Sequence, residues 1–526
     1  MKVLIADPLS KDGLKLLKEQ SGLQVIDGTS FSPEALPAAV ADVDGLIVRS
    51  RTQVTRELMA AAGRLRVVGR AGAGVDNIDL EAATHKGVVV MNVPGGNSIS
   101  VAEHAFGLLL ALARKIPFAN SSLHSGRWEK KAFVGQEVQG KSLGLVGLGK
   151  IGSLLAQRAR AFQMKILAYD PFVSRDYAKD LSVELLPLEE VLSSSDFISL
   201  HLPLNENTRG LVCKKTLKTM KKGAYLINTA RGELVVEEDL ADALEKGQLA
   251  GAALDVFSNE PEVHPGLVAS DRTILTPHIS ASTIEAQSKV GFEIARQVVT
   301  YLRDDVILNA VNFPSVTSQE LEQLQPYLEL GTKLGTLIAR ISKIRISEIG
   351  IRYYGEITRL NYKPVTNYIL KAILKPILSE EINEVSARDH ASERGISILE
   401  TVSTRQRSYS NLISIQLRSP GQTEWVEGAI LHQGNLRLVS VDGIPVETEL
   451  GNQLLFIRNR DLPGVIGQVG TILGKARINI ASFVLGRDQA QSRAVGVVNT
   501  DGEISRDVLD EIRKTPAVQF AQSIRL

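Results

Sequence analysis

The sequence predicts an α/β protein in which two doubly wound parallel-sheet lobes are followed by two smaller α+β segments. Three observations carry this. Short apolar runs alternate twice over with helix-patterned stretches, a glycine cluster sits where one such run meets a helix, and the last 75 or so residues change to strand–helix–strand–strand–helix–strand order. At 526 residues the chain exceeds one hydrophobic core, so several domains are expected.

The first lobe is read from "KVLIAD", "LQVID", "GLIVRS", "LRVVGRAG" and "GVVVMN", with segments such as "EALPAAVADV" between them. Continuous Val/Ile/Leu runs separated by helices mark parallel strands covered on both faces. The second series is "SLGLVG", "MKILAYD", "DFISLHLP", "GAYLINT", "GAALDVF" and "TILTPH". Two long helices, expected over 98–120 and 282–302, join the lobes, so the chain leaves the first lobe, builds the second and returns. The domain boundaries are drawn at 1–97 with 286–314, 98–285, 315–450 and 451–526. In the last segment, Val465, Ile466, Val469, Ile472 and Leu473 form one apolar helix face that a sheet covers.

Apolar residues at 44% and charged residues at 23% describe an ordinary soluble protein. The net charge of +1 excludes a generally nucleic-acid-binding surface, and 5% aromatics argues against base-stacking platforms. The lone Cys213 permits neither an internal disulfide nor a zinc–thiolate cluster, and no long apolar run marks a membrane span. The expected setting is cytoplasmic, with no membrane or nucleic-acid partner.

"VGLGKIG" places Gly147, Gly149 and Gly152 in G-x-G-x-x-G spacing after a strand and into a helix. Gly147 allows the tight turn, Gly149 lets backbone N–H groups approach a pyrophosphate, and Gly152 lets helix and strand pack closely. The helix N-terminus then faces the phosphate charge. Asp170 ends the next strand, eighteen residues beyond Gly152, where a carboxylate accepts from ribose hydroxyls and repels a 2′-phosphate. NAD is the cofactor this arrangement implies.

A hydride acceptor needs a substrate with a hydroxyl proton to lose. Arg231, Glu260 and His278 follow three successive strands, at the carboxyl edge where open α/β sheets bind ligands. Arginine offers a planar fork to a carboxylate, and a carboxylate beside an imidazole orients it for general-base work. His278 is therefore read as the proton carrier, Glu260 as its partner and Arg231 as the carboxylate anchor. No second ligand stands at metal spacing from His278, so no metal is expected there. His104 and His201 are read as structural.

"GLGKIG", "LINTARGELV", "ALDVFSNEP" and "LTPHISAST" together resemble the D-isomer-specific 2-hydroxyacid dehydrogenases. "VRSRT", "VVGRAGAGVDNID" and "NVPGGNSISVAEH" resemble the branch of that family acting on D-3-phosphoglycerate. The resemblance, dense over residues 1–312, implies a flavodoxin-like substrate lobe and a Rossmann NAD lobe. It implies NAD contacts at Lys150, Ile151, Ala73, Leu202, Thr229, Ala230, Asp255, Ile279, Ser280 and Ala281. It also implies substrate contacts at Arg49, Ser50, Arg70, Asn97 and Ser98. Lys130, with Lys131, is implied to reach a neighbouring subunit's cleft in a homodimer or homotetramer; a solvated basic loop is the other reading.

"RNRDLPGVIGQVGTIL" and "ARINIASFVLGR" resemble an ACT domain, a ferredoxin-like ligand sensor. Its effector positions fall at Asn459, Asp461 and Asn479, with L-serine the implied effector, although Asn459 departs from the histidine or tyrosine of some relatives. Residues 317–450 resemble an intervening domain with possible anion binding, whose basic residues, such as Lys363, Arg437 and Arg458, carry no assigned role. The implied activity is NAD-dependent oxidation of 3-phosphoglycerate, which opens L-serine biosynthesis. Two rivals share the motifs: a glyoxylate or hydroxypyruvate reductase, and a non-enzymatic NAD-sensing corepressor-like module. The two appended domains weigh against the first, and the ACT domain and the lack of a basic or disordered tail weigh against the second.

Overall fold

A computed structural model describes residues 1–526 except 315, 317, 379–381, 404, 406, 432 and 433. The expected boundary at 315 thus lies outside the described residues. The first sheet runs Gln24–Asp27, Lys2–Ile5, Gly45–Val48, Val67–Arg70 and Val89–Met91, all parallel. Apolar cores fill both of its faces, one around Ile47 and Val67 and the other around Leu46 and Val68, as the alternation of side chains along a strand requires. The helix Ile284–Asp304 packs on this sheet and on the helix Lys11–Lys18, which returns the chain to the first lobe. Gly13 and Gly291 let those two helices touch, because a Cβ on Gly13 would meet Gly291 O at 2.4 Å.

The second sheet has seven parallel strands in the order Thr273–Leu275, Leu249–Leu254, Ala224–Asn228, Phe197–Leu200, Ser142–Val146, Lys165–Tyr169 and Glu184–Leu185. The strand order reverses between Ser142–Val146 and Phe197–Leu200, and the crevice beside that reversal is where open sheets take ligands.

One expected helix is two. The 98–120 stretch breaks at Lys115, which adopts φ 53°, into Ser98–Arg114 and Ile116–His124. Pro117 explains the break: it has no N–H to bond the preceding turn, and it suits the first turn of a new helix.

The third sheet is mixed. Among the described residues, Glu348–Tyr354 and Ser397–Ser403 pair in parallel, and Leu412–Ser419, Gln422–Ile430, Leu436–Val441 and Ile444–Glu449 continue it antiparallel. Helices Ser318–Ile341 and Lys363–Leu374 cross closely over it, with Gly331 and Gly335 facing Ile369. The last sheet is antiparallel, in the order Ile480–Asp488, Arg493–Thr500, Gln453–Arg460 and Val518–Arg525. In the helix Val465–Lys475, Val465, Val469, Ile472 and Leu473 are buried under that sheet, whereas Ile466 is 48% exposed. The expected five-residue face is therefore four residues wide, because Ile466 lies one position round from Val465 and outside the covered stripe.

The third and fourth sheets share one core. Ile349, Ile351 and Leu417 pack with Leu454, Phe456, Val497 and Ile524 across the seam. Arg458 pins it, donating to Ile341 O (3.0 Å) and to Asp442 Oδ2 (2.9 Å). No helix among the described residues is long and apolar enough to cross a membrane.

Candidate active site

A cleft of about 680 Å³ opens between the first and second sheets' lobes. Its walls include Arg49, Ser50, Arg70, Ala73 and Asn97 from one side, and Ile151, Leu202, Thr229, Ala230, Arg231, His278, Ser280 and Ala281 from the other.

The glycine turn is built as its spacing implies. Gly147 has φ +104°, a conformation that side chains disfavour. A Cβ on Gly152 would lie 2.2 Å from Gly147 O, so that position is a packing requirement. A Cβ on Gly149 would meet nothing within 4 Å, which leaves open space at the N-terminus of the helix Lys150–Ala161. That terminus has no side-chain cap, so its N–H groups are available to an anion. Asp170 supports the turn from the next strand, accepting from Leu148 N–H and Phe172 N–H, each at 2.9 Å. These features fit a dinucleotide pyrophosphate. Lys150 reaches towards the first lobe, its chain about 3 Å from where a Cβ of Gly95 would lie.

The two residues expected to carry the proton are in hydrogen-bond contact: His278 Nδ1 lies 2.8 Å from Glu260 Oε2. Glu260 is fixed in turn by accepting from Phe257 N–H at 3.1 Å. His278 itself sits at φ 52°, a left-handed conformation costing on the order of 1 kcal/mol or more in a non-glycine residue. Asp255 offsets that strain. Its carbonyl accepts from His278 N–H (2.8 Å), and its carboxylate accepts from Ile279 N–H (2.9 Å), Ser280 N–H (2.8 Å) and Thr276 Oγ1 (2.6 Å). Asp255 is fully buried and does not line the cleft. Burial alone would raise its pKa, but hydrogen bonds from His104, Thr276, Ile279 and Ser280 outweigh it and hold the carboxyl at about 2.

Arg231 is aimed by Asn228, which is buried at the strand end, donates to Arg231 O (2.8 Å) and accepts from Ala230 N–H (3.1 Å). Gly232 brings this loop against the Glu260 loop, since a Cβ there would fall 1.9 Å from the Phe257 carbonyl carbon. The guanidinium reaches across the cleft to Asp76, with Nε at 3.0 Å and Nη2 at 2.9 Å from Oδ2. Arg70 lies beside it, and burial, with repulsion from Arg231 and Arg49, pushes its pKa down to about 10. Its Nε is buried with no hydrogen-bond partner. Three crowded guanidiniums, one with an unmet donor, make an anion-seeking wall.

Other expected positions lie apart. Ser98 is buried at the start of its helix, Ile279 is partly exposed beside His278, and Lys130 and Lys131 are exposed and outside this chain's cleft lining. In the last sheet, Asn459 is buried, donates to Arg460 O (2.7 Å), and its Oδ1 accepts no hydrogen bond. Asp461 pairs with Arg487 at 2.9 Å, and Asn479 donates to Asp501 Oδ2 at 2.5 Å.

Sequence reading passed over three participants. Asp76 stood within the quoted "GAGVDN" but was not connected with Arg231, 155 residues away. His104, expected to be structural, belongs to the Asp255 network, 3.5 Å from its Oδ1. His201 lines the cleft, its Nε2 lies 2.9 Å from Ser199 Oγ, and burial pushes its pKa down to about 4.

Residues 106–280 match the NAD-binding domain of the D-isomer specific 2-hydroxyacid dehydrogenases. Residues 323–442 match the D-3-phosphoglycerate dehydrogenase intervening domain, and 453–517 match the ACT domain. The chain is 39% identical to the D-3-phosphoglycerate dehydrogenase of Bacillus subtilis, over 100% of this chain and 99% of that one. It is also 39% identical to the enzyme of that name from Methanocaldococcus jannaschii, over the whole of both. Among solved structures, D-lactate dehydrogenase from Aquifex aeolicus, complexed with NAD and lactic acid, is 28% identical. It superposes with a TM-score of 0.53, covering 60% of this chain and 100% of that one. With the NAD-binding, intervening and ACT domains matched in order and full-length relatives 39% identical, the chain belongs to the D-3-phosphoglycerate dehydrogenase family and binds NAD.

Proposed function

We propose that the protein oxidises D-3-phosphoglycerate to 3-phosphohydroxypyruvate with NAD, the first step of L-serine biosynthesis. The observation that carries this is the meeting of the His278–Glu260 pair with Arg231, Arg70 and Arg49 in one cleft beside an uncapped glycine-turn helix. Arg231 takes the substrate carboxylate in place of Asp76. Arg49 and Arg70, with Ser50, Asn97 and Ser98, receive the phosphate end, and Lys130 of a neighbouring copy completes it in a cytoplasmic homodimer or homotetramer. His278 Nε2 removes the C2 hydroxyl proton, while Glu260 holds Nδ1–H and balances the imidazolium that forms. NAD, when bound, supplies the acceptor for the C2 hydride.

The cofactor roles fall to Gly147, Gly149, Gly152, Lys150, Ile151 and Asp170 at the adenosine and pyrophosphate end. Ala73, Leu202, Thr229, Ala230 and Ile279 to Ala281 flank the nicotinamide end, with Asp255 acting through the backbone it holds. The working division is 1–97 with 286–314 for substrate, 98–285 for NAD, 315–450 intervening and 451–526 regulatory. L-Serine is the effector of the last, held near Asn459, Asp461 and Asn479. The buried Asn459 Oδ1 without a donor supports a ligand there.

NADH formation by the purified protein tests the reading, with 3-phosphoglycerate and glycerate compared and L-serine added. Turnover that depends on the phosphate and falls with serine is expected. Equal turnover of glycerate would move the protein to the reductase branch, and no turnover with confirmed NAD binding would refute the dehydrogenase reading.

A further inference from the structure

A second cluster of chemistry-bearing side chains lies far from the cleft, where the first lobe meets the intervening domain. His85 ends the helix Leu80–His85, and Asp389, His390 and Glu393 lie on the helix Ala387–Glu393. His85 Nδ1 is 3.1 Å from Glu393 Oε1 and 3.3 Å from Asp389 Oδ2, and His390 Nδ1 is 3.5 Å from Glu393 Oε2. The two imidazole rings are 5.3 Å apart, and one donor atom each from His85, His390 and Glu393 lies within 4.8 Å of the others.

Those separations have a chemical meaning. Zinc binds imidazole nitrogen and carboxylate oxygen at about 2.0–2.2 Å, so donors at the corners of a tetrahedron stand about 3.4 Å apart. The spacings of 3.1 Å (His85 Nδ1 to Glu393 Oε1) and 3.5 Å (His390 Nδ1 to Glu393 Oε2) bracket such an edge, one imidazole on each oxygen of the carboxylate, and His85 Nδ1 stands 3.3 Å from Asp389 Oδ2. We propose that His85, His390 and Glu393, with Asp389 or water in the fourth position, bind one divalent cation of the zinc class.

Charge supports this reading over an ordinary ion-pair cluster. Two neutral imidazoles and two carboxylates together balance a dication. Two of the nearby cations have partners outside the cluster. Lys86 Nζ donates to the carbonyls of Met59 and Ala60, and Arg388 pairs with Glu400. Arg394 pairs with Glu393 Oε2 at 3.8 Å, longer than either imidazole contact to that carboxylate. Burial supports it too: His390 is 6% exposed, while the other three are partly open to the groove along the seam, which gives an ion a route in. The two bodies already touch beside the cluster, where Asn383 Nδ2 donates to Gly87 O at 2.6 Å. A metal there would fasten the intervening domain to the substrate lobe with bonds far stronger than that contact.

The full-length protein, stripped with EDTA, is titrated with zinc at pH 7.5 against a chromophoric chelator. One zinc per chain with a Kd of about 1 µM or tighter is expected. His85→Ala and Glu393→Gln should each weaken it at least about tenfold. Both residues are partly exposed, so the variants should fold, and circular dichroism confirms it. His278→Ala and Cys213→Ser, which alter an imidazole and the thiol outside the cluster, should leave stoichiometry and affinity unchanged. Zinc should also raise the melting temperature of the parent protein and not of His85→Ala. Absence of stoichiometric binding, or binding unaltered in His85→Ala and Glu393→Gln, overturns the proposal. Metal content is read without turnover, so this result is independent of the reaction proposed above.

Discussion

Asp255→Asn tests whether a buried carboxylate, and not His278 alone, sets the position of the proton carrier. The substitution is nearly isosteric and keeps one carbonyl oxygen. That oxygen can serve Thr276 and Ile279, but the amide nitrogen then faces Ser280 N–H, donor against donor, where 2.8 Å once separated donor from acceptor. Losing a hydrogen bond to a charged group costs about 1.5–3 kcal/mol. The carboxyl's pKa gives a similar figure: a fall from about 3.9 in the unfolded chain to about 2 is worth about 2.5 kcal/mol. For a lobe of this size, that lowers the melting temperature by about 5–10 °C. A depressed carboxyl pKa stabilises above the unfolded value and loses that contribution as pH falls from about 4 towards 2, so the variant should lack this part of the acid destabilisation. Turnover should fall about 100-fold, because the φ 52° turn carrying His278 relaxes and misaligns Nε2. Thermal unfolding without NAD and steady-state NADH formation measure both effects. Wild-type melting and turnover together in Asp255→Asn would refute the reasoning.

The glycine turn separates space from packing. Gly149→Val should weaken NAD binding at least about tenfold with little change in melting, whereas Gly152→Ala should destabilise the apo-protein by about 1–3 kcal/mol by driving Cβ into Gly147 O, as calorimetry of each would show. Arg231→Lys keeps the charge but loses the two-pronged fork, so kcat/KM should drop about 100-fold, and an unchanged value would remove the arginine from carboxylate binding. His201 is held neutral by burial, its pKa lowered to about 4 from about 6.5 unfolded. The unfolded chain therefore binds the proton first, and stability should decline by about 2–3 kcal/mol as pH drops from about 6.5 to 4; His201→Asn should flatten that slope in urea titrations.

Much of this was legible in the sequence because its period and punctuation are local. The two strand–helix series, the glycine turn and the strand–helix order of the last 75 or so residues are each written in contiguous residues, and the two series and the last segment each correspond to a sheet of the structure. What escaped was long-range or depended on one backbone angle. Lys115 carries no mark of its left-handed φ, so the helix break beside Pro117 was read through. The Asp76–Arg231 pair joins opposite lobes, and Asp255 looked like a ligand contact because its inward partners, His104 and Thr276, are remote in sequence. Hydrophobic spacing placed Ile466 with its neighbours, but only the docked sheet decides where a stripe ends.

The core that Phe456, Val497 and Ile524 share with Ile349 and Leu417 turns the C-terminal half into a single lever. A Cβ on Gly486 would strike Pro445 O at 2.2 Å, so the two sheets interlock at backbone level and have little freedom to slide past one another. That body meets the first lobe where Asn383 Nδ2 donates to Gly87 O, so a displacement of either sheet is carried as one piece to that contact. If L-serine acts as proposed, Asn383→Ala should keep turnover while weakening the effect of serine on it, which assays with and without serine would show.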